Sequence, residues 1–307
     1  MNPDETQIRQ ALSGFINVLK PPGMTSAQVV GRVRSLLRGR KVGHAGTLDP
    51  EAAGVLPLMV GKAARLFDVL QDKQKAYIAE IAFGAATDTQ DAQGTVTETG
   101  RAFPDEAALR AALTMFRGDL LQTPPMYSAL KRDGRRLCDV ARDGGSVALE
   151  GRPVTVHALE LLGMTNRQGA LVSVRCSRGF YVRTLCHDIG QALGCPAHMR
   201  FLLRTQSGVF TLDTARTLEE LKEEAEREPE GLPLLPMEAA VEHLPWAEVP
   251  AALEKPFRNG VPLRLHALRL SETPPEGAAV RMRSGGELCA IGVREGDALR
   301  QRTWLAE

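Results

Sequence analysis

Paired cysteines, long apolar runs and secretion signals are missing from this chain of 307 residues. Its five cysteines are scattered without a CxxC pair, which is typical of a reduced protein rather than of a disulfide framework. The chain has no run of about 18 apolar residues, so we expect no membrane span. The N-terminal segment lacks the basic-then-apolar layout of a signal peptide, and we therefore expect a cytoplasmic location.

Signatures of several enzyme classes are missing as well. The stretch GVLPLMVGKAAR has a glycine and a lysine, but alanine follows where a Walker A loop needs Ser or Thr, and the glycine spacing is wrong. The HxE and PCxxC pair of zinc deaminases is absent, and so is GxSxG. We therefore expect no nucleotide cofactor and no metal.

Acidic residues are missing from one long stretch near the N-terminus. Between residues 6 and 48 the chain has seven basic residues and no carboxylate, and Asp49 is the first acid after Glu5. The net charge is only +1 because residues 218–254 hold eleven glutamates against two basic residues. A basic stretch of this kind indicates a polyanion partner, although an arginine-rich helix face in solvent would give the same pattern.

Hydrophobic spacing predicts an α+β protein with two parts. A capping box at Thr25 and Gln28 predicts a helix start. Further periodicity predicts strands at 15–19, 55–61, 77–83, 154–162 and 170–176, and helices at 105–116, 184–193 and 219–228. From about residue 246, short strands and glycine turns indicate a separate small β domain at 246–307. The larger domain is then 1–245.

Residues 124–152 are predicted to be a long, basic excursion from the core that serves as a lid. The segment is rich in turn residues and contains Lys131, Arg132, Arg135, Arg136 and Arg142. Long connections of this kind are usually functional or disordered.

Asp49 is the candidate catalytic carboxylate. The segment DPEAAG predicts one helical turn, with Pro50 at its first position and Gly54 at its end, so Asp49 could be only a helix N-cap. The segment SRGFYVRTL, if it is a strand, places Tyr181 and Arg183 on one face. An arginine beside Asp49 would keep it ionised and favour a nucleophile, and tyrosine rings offer stacking surfaces for a base.

Four segments resemble, in this order along the chain, the motifs of TruB-type tRNA pseudouridine(55) synthases. They are GHAGTLDPEAAGVL, KAYIAEIAFGAATDTQDAQG, PPMYSALKRDGRRLCDVAR and SRGFYVRTLCHDIGQALGCPAHMRFLLRTQSGVF. The resemblance implies a pseudouridine-synthase catalytic domain, with a mixed, mainly antiparallel sheet flanked by helices and an RNA-gripping insertion at 124–152. It also implies a PUA-like C-terminal β domain.

The resemblance further implies an enzyme that isomerises the uridine at position 55 in the T-arm of tRNA. Its partner would be the tRNA T-arm, with no cofactor, no obligatory protein partner and a monomeric state. By the same resemblance, Asp49 matches the catalytic aspartate and Arg183 matches its ion-pair partner. Tyr77 matches the residue that stacks on the target base, with a second possible role as a base.

Four more residues match substrate-binding positions of the family. His44 matches a histidine that holds the flipped-out loop, and Tyr181 and Leu202 match contacts to the flipped nucleotide. Lys20 lies in KPPGMTS, which matches a motif that supports the site. Two alternatives remain: a non-catalytic RNA-binding or tRNA-folding protein on the same scaffold, and a guide-dependent relative that acts on another RNA.

Overall fold

The computed structural model describes most of the chain. The described residues are 13–70, 74–100, 103–128, 130–132, 134–145, 147–166, 168–227 and 232–306. Arg9, one of the seven basic residues of the N-terminal stretch, and Glu228, the predicted end of an acidic helix, lie outside them. Within these ranges no helix is both long enough and apolar enough to cross a bilayer.

One large sheet organises the N-terminal part. Its strands, in spatial order, are β1 (Gly14–Lys20), β3 (Ala53–Val60), β12 (Ala197–Ser207), β4 (Lys75–Phe83), β11 (Gly169–Cys176), β10 (Arg152–Thr165) and β7 (Gly118–Gln122). In addition, β2 (Val42–His44) pairs with β3, and β13 (Phe210–Thr211) pairs with β12. Strand β12 runs parallel to β3, whereas the other pairings between these strands are antiparallel. The mixed, mainly antiparallel sheet is therefore confirmed.

Four helices supply buried side chains to one face of this sheet. They are α1 (Ser26–Leu36), α2 (Glu106–Thr114), α4 (Val182–Ala192) and α5 (Leu218–Arg227), and the short α3 (Leu137–Arg142) lies in the 124–152 segment. The predicted capping box is confirmed at α1, where Thr25 and Gln28 bond each other's backbone amides. Val29 and Val33 of α1 are completely buried in the core.

The sheet has two buried faces, and strand alternation explains how. On β3, Leu56 and Leu58 point into the core shared with the helices, whereas Val55 and Met59 belong to a second cluster. This second cluster also contains Leu305 and other residues from the C-terminal part. Covering both faces explains why β3 is apolar almost without interruption.

A second, smaller sheet forms the C-terminal part. Its strands, in spatial order, are β15 (Leu263–Arg264), β19 (Ala298–Trp304), β18 (Glu287–Glu295), β17 (Ala279–Ser284), β14 (Trp246–Glu248) and β16 (Arg269–Leu270), with α6 (Glu254–Arg258) beside them. The predicted small β domain is confirmed as a β-rich unit, and its boundary at 245/246 stays a prediction. It contacts the larger part through Lys62, which donates to the Ala306 carbonyl at 2.5 Å, and Arg65, which donates to that of Trp304 at 2.8 Å.

Two local predictions around the candidate site are wrong. The DPEAAG segment is a hydrogen-bonded turn, in which the Ala52 amide donates to the Asp49 carbonyl at 3.1 Å, and no helix begins there. Asp49 is therefore not a helix N-cap, and Gly54 lies inside β3 with a φ of +113°. Likewise, SRGFYVRTL is not a strand, because α4 begins at Val182 and Tyr181 is the residue that precedes it.

The 124–152 excursion is partly ordered into regular structure. It contains the two-stranded ribbon β8 (Lys131–Arg132) and β9 (Arg135–Arg136), followed by α3. A second ribbon, β5 (Ala85–Thr87) and β6 (Val96–Thr99), follows β4. The amides of Leu137 and Cys138 donate to the carbonyls of Leu130 and Ser128, which closes the excursion on itself.

Candidate active site

Asp49 lies on the loop of residues 45–52 that connects β2 with β3, which we call the catalytic loop. Buried side chains hold its backbone in place. The Ser26 hydroxyl donates to the Leu48 carbonyl at 3.0 Å and accepts from the Leu48 amide at 2.9 Å. The Lys20 ammonium donates to the Pro50 carbonyl at 2.8 Å. The residues on both sides of Asp49 are therefore fixed from β1 and α1.

Arg204 holds the first part of the catalytic loop, at Gly46 and Thr47. This side chain of β12 is completely buried. It donates to the carbonyls of Val55 at 2.7 Å, Thr47 at 3.2 Å and Gly46 at 3.2 Å. Burial lowers the pKa of Arg204, and nearby Tyr77 and Asp49 oppose that shift. An arginine stays protonated in this setting, so the carbonyls keep a charged donor.

The close approach of β12 to β3 requires Gly54. Arg204 and Gly54 are partners in the parallel pairing. A methyl group on Gly54 would lie 2.2 Å from the Arg204 carbonyl oxygen, which is a severe clash. The positive φ of Gly54 also excludes most side chains. Glycine is therefore required at position 54, five residues after Asp49, for β12 to pair with β3.

An ion pair joins Asp49 to Arg183 across the site. The Nε of Arg183 lies 3.0 Å from Oδ2 of Asp49. The arginine side chain is 6 % exposed and the carboxylate 39 %, so the cation is enclosed by protein while the acid is accessible to solvent. The other guanidinium nitrogens donate to the carbonyls of Thr89 at 3.0 Å and Tyr127 at 2.9 Å. Oδ2 of a second carboxylate, Asp91, lies 3.8 Å from Nη1 of Arg183.

Helix α4 places Arg183 in its first turn, and Gln122 fixes where that helix begins. The Tyr181 amide donates to the Gln122 side-chain oxygen at 2.8 Å, and the Gln122 amide nitrogen donates back to the Tyr181 carbonyl at 3.0 Å. Tyr181 is half-buried, and burial raises the pKa of its phenol. The sequence predicted that Tyr181 and Arg183 share one face of a strand. In the structure they instead flank the first residue of helix α4, Val182.

Tyr77 is buried in β4, directly across from Arg204 in the antiparallel pairing with β12. Burial raises the pKa of Tyr77 to about 12, with the Arg204 guanidinium opposing the rise. The phenol therefore keeps its proton at neutral pH. Leu202, two residues before Arg204, is 6 % exposed and belongs to the same core cluster as Tyr77.

His44 ends β2, just before the catalytic loop. Burial, with help from the Arg204 charge, lowers the pKa of His44, so the imidazole is neutral at pH 7. Its Nδ1 is buried and has no hydrogen-bond partner among the described residues. Lys20 is also buried, and burial lowers the pKa of its ammonium to about 8. Lys20 therefore supports the loop backbone instead of facing the cleft.

The structure adds three residues that the sequence did not single out for the site. Ser26 and Arg204 hold the catalytic loop, and Asp91 faces Arg183 from the segment after β4. Asp91 stands in the DTQDAQG part of a quoted motif, and Arg204 directly follows the apolar run at 201–203 in another, which was the available signal. Ser26 ends the quoted motif KPPGMTS, but its partner Leu48 is 22 residues away, so the sequence did not predict this contact.

The arrangement suits nucleophilic or electrostatic catalysis by a single carboxylate. The partly exposed Asp49 is held in position by the buried Arg183, and the protonated phenol of Tyr77 lies nearby. In the described part of the chain, no cluster of three or more His, Cys, Asp or Glu side chains is placed to bind a metal ion.

Two protein-family models match consecutive parts of this chain. Residues 34–182 match the TruB family pseudouridylate synthase N-terminal domain, and residues 183–242 match the tRNA pseudouridylate synthase B C-terminal domain. The chain belongs to the TruB family. The predicted family and enzyme class, a pseudouridine synthase, are therefore confirmed. Asp49 and Tyr77 lie in the first match, and Arg183 and Arg204 lie in the second.

Relatives named tRNA pseudouridine synthase B align with nearly the whole chain. The tRNA pseudouridine synthase B of Heliobacterium modesticaldum is 42 % identical over 301 residues, which is 96 % of this chain and 94 % of that protein. The protein of the same name from Moorella thermoacetica is 45 % identical over 291 residues, which is 92 % of this chain and 94 % of that protein.

Solved structures support the same fold. A Cbf5–Nop10–Gar1 complex contains a chain of 29 % identity that aligns with a TM-score of 0.74, over 99 % of this chain and 88 % of that one. An H/ACA RNP bound to a substrate RNA with 2′-deoxyuridine gives 27 % identity and a TM-score of 0.73, over 100 % of this chain and 88 % of that one. The predicted α+β pseudouridine-synthase fold is thus confirmed.

Proposed function

We propose that this protein converts the uridine at position 55, in the T-arm of tRNA, to pseudouridine, with Asp49 as the reacting carboxylate. One observation carries the assignment: the Asp49 carboxylate is accessible to solvent, while its ion-pair partner Arg183, 3.0 Å away, is buried. The family match and the names of the relatives support tRNA as the substrate.

The chemistry needs only groups that this chain supplies. The N1–C1′ bond breaks, the uracil rotates, a C5–C1′ bond forms, and the proton on C5 leaves while N1 gains one. No oxidation or reduction occurs. Asp49 acts on the sugar or base fragment while the glycosidic bond is open, and Arg183 keeps the carboxylate charged and correctly aimed.

Side chains around Asp49 hold the extruded nucleotide. Tyr77 supplies a ring for stacking, because a phenol whose pKa is about 12 does not act as a resting phenolate. Tyr181 and Leu202 contact the base or ribose. His44, neutral and with an unpartnered buried Nδ1, contacts the part of the loop that the uridine leaves. Lys20 positions the Pro50 backbone.

Three further surfaces engage the RNA outside the cleft. The arginines of the N-terminal basic stretch include Arg32 and Arg34, which are exposed on α1. The 124–152 segment folds onto the T-arm when RNA binds, and it is joined to the site at Tyr127, whose carbonyl accepts a bond from Arg183. The C-terminal β domain, 246–307, acts as a PUA-like RNA-binding unit. Extruding a base costs a few kcal/mol, and these contacts offset it.

The test is tritium release from a T-arm hairpin that carries [5-³H]uridine, with no added cofactor, guide or protein partner. We expect release by the wild type and none by Asp49→Asn. Glu51→Gln is the matched control, because Glu51 is exposed on the same turn and loses the same charge. Equal release by wild type and Asp49→Asn would remove Asp49 from the mechanism.

The alternatives predict different outcomes in the same assay. Tight binding without release, from the hairpin or from full-length tRNA, would favour a non-catalytic RNA-binding or tRNA-folding protein. Release only in the presence of a guide RNA would favour a guide-dependent synthase. Sedimentation of the protein with and without hairpin tests the proposed monomeric state. A cytoplasmic location remains a prediction of the sequence.

A further inference from the structure

A cleft of about 150 Å³ lies beside the catalytic loop, and the mechanism above does not use it. One wall is the loop itself at Ala45 and Gly46. The lining also includes the basic residues Lys75 and Arg178 and an apolar floor, on which Phe67 and Val209 are exposed. Two cations beside an apolar floor match the chemistry of a nucleotide, whose phosphate is anionic and whose base has a flat face that packs on apolar side chains.

Lys75 is the residue that makes this cleft unusual. It begins β4 two positions before Tyr77, so both side chains leave the same face of the sheet. A Cβ built on Gly46 would be 3.4 Å from the Lys75 Nζ, which places the ammonium against the catalytic loop. Burial and the nearby Arg204 charge lower the pKa of Lys75 to about 8.

Within the described ranges, Lys75 Nζ has neither a carboxylate nor a hydrogen-bond acceptor as partner. The carbonyl of Gly46, which is close by, already accepts from Arg204. A largely buried ammonium without a partner is costly, and an anion entering from solvent would relieve that cost. Arg178, exposed on the turn after β11, likewise forms no ion pair with a described residue, so two positive charges face the same space.

We propose that Lys75 and Arg178 bind a backbone phosphate of the RNA next to the target uridine, with the adjoining sugar or base on the apolar floor. This inference rests on the proposed RNA substrate and adds a binding subsite to it. A phosphate at this position would tie the RNA backbone to the catalytic loop three residues before Asp49. Its effect is then to set the depth at which the uridine enters the site.

The first experiment measures hairpin binding as a function of salt, in an Asp49→Asn background so that no turnover occurs. We expect Lys75→Met to weaken binding about tenfold, as for loss of one charge-assisted contact. The slope of log K against log salt should fall in magnitude by about 0.7–0.9. Lys75→Arg should restore most of both, and Arg178→Ala should act in the same direction.

Lys222→Met is the matched control, because Lys222 is an exposed lysine on the acidic helix α5. It should leave affinity and salt slope unchanged. Thermal unfolding identifies misfolding, and we expect Lys75→Met to be no less stable than the wild type, since it removes an unpaired, largely buried charge. A loss of affinity in Lys75→Met that came with lost stability and was not rescued by Lys75→Arg would count against the proposal.

The second experiment identifies the phosphate. Hairpins carry one neutral methylphosphonate at a time around the target uridine. One position should weaken binding to the wild-type cleft but not to Lys75→Met. If no position shows this coupling, or if Lys75→Met keeps the wild-type affinity and salt slope while tritium release is normal, the subsite is refuted and the proposed function stands. If the wild-type protein does not bind the hairpin, both fail.

Discussion

Ser26→Ala tests whether the catalytic loop depends on its side-chain support. The Ser26 hydroxyl bonds both the amide and the carbonyl of Leu48, and both residues are 3 % exposed. Each bond contributes about 1 kcal/mol net, and each buried backbone group left without a partner costs about 1–3 kcal/mol. We therefore expect Ser26→Ala to lower the free energy of unfolding by about 2–4 kcal/mol.

The same substitution should affect the reaction more than RNA binding. Leu48 precedes Asp49, so a released Leu48 backbone lets the carboxylate shift relative to the buried Arg183. A misplacement of about 1 Å can cost on the order of 100-fold in rate. We expect single-turnover tritium release to slow by about 10- to 100-fold, with hairpin affinity within about twofold of the wild type, because Leu48 supplies none of the proposed phosphate contacts.

The matched control is Ser35→Ala on the same helix. The Ser35 hydroxyl donates only to the Gly31 carbonyl at 3.2 Å and is exposed. Its loss should change stability by less than about 0.5 kcal/mol and leave the rate unchanged. If Ser26→Ala unfolds earlier but reacts at the wild-type rate, the loop does not need this support. If its stability is also unchanged, the Leu48 groups find other partners and the reasoning is wrong.

Three further outcomes follow from the buried groups around the loop. Gly54→Ala should lower the free energy of unfolding by about 3 kcal/mol or more, because its methyl would overlap the Arg204 carbonyl. The control is Gly23→Ala, which also has a positive φ but has open space around it and should lower that free energy much less. Burial lowers the pKa of Lys20 from 10.5 to about 8, so above pH 8 the folded state releases a proton that the unfolded state keeps. The free energy of unfolding of the wild type, measured in urea, should therefore rise relative to that of Lys20→Met between pH 8 and 10. A difference that stays constant over this range would contradict the reasoning. Since Tyr77 has a pKa of about 12, the pH–rate profiles of wild type and Tyr77→Phe between pH 6 and 9.5 should have the same shape, and a limb lost in the variant would show that the phenol ionises.

Local sequence signals predicted the elements whose causes are local. The helix at α1 was predictable because Thr25 and Gln28 cap it and its valines recur with helical spacing. Strand β3 was predictable because it is buried on both faces and therefore reads as one apolar run. Asp49 was visible for the same reason, since its place as the first acid after a long stretch without one is a property of the sequence alone.

Tertiary contacts decided the elements that the sequence predicted wrongly. The stretch around Tyr181 has strand-like composition, but Gln122, which lies 59 residues earlier, takes both Tyr181 backbone groups and fixes the start of α4 there. The turn at Asp49 looks helical locally, yet Gly54 must join β3 because β12 lies against it. In both places a partner distant in sequence outweighs local propensity.

The two arginines of the site have different tasks, and this division explains why both are needed. Arg183 contacts Asp49, the proposed reacting carboxylate, whereas Arg204 contacts backbone carbonyls of the catalytic loop and lies beside Tyr77. One buried cation thus fixes the loop relative to the Tyr77 ring, and a second fixes the carboxylate on that loop. Arginine suits both tasks because its planar group binds several acceptors and stays charged, whereas the ammonium of Lys20 begins to titrate near pH 8. The alignment of acid and ring is therefore expected to persist across the pH range in which that lysine loses its charge.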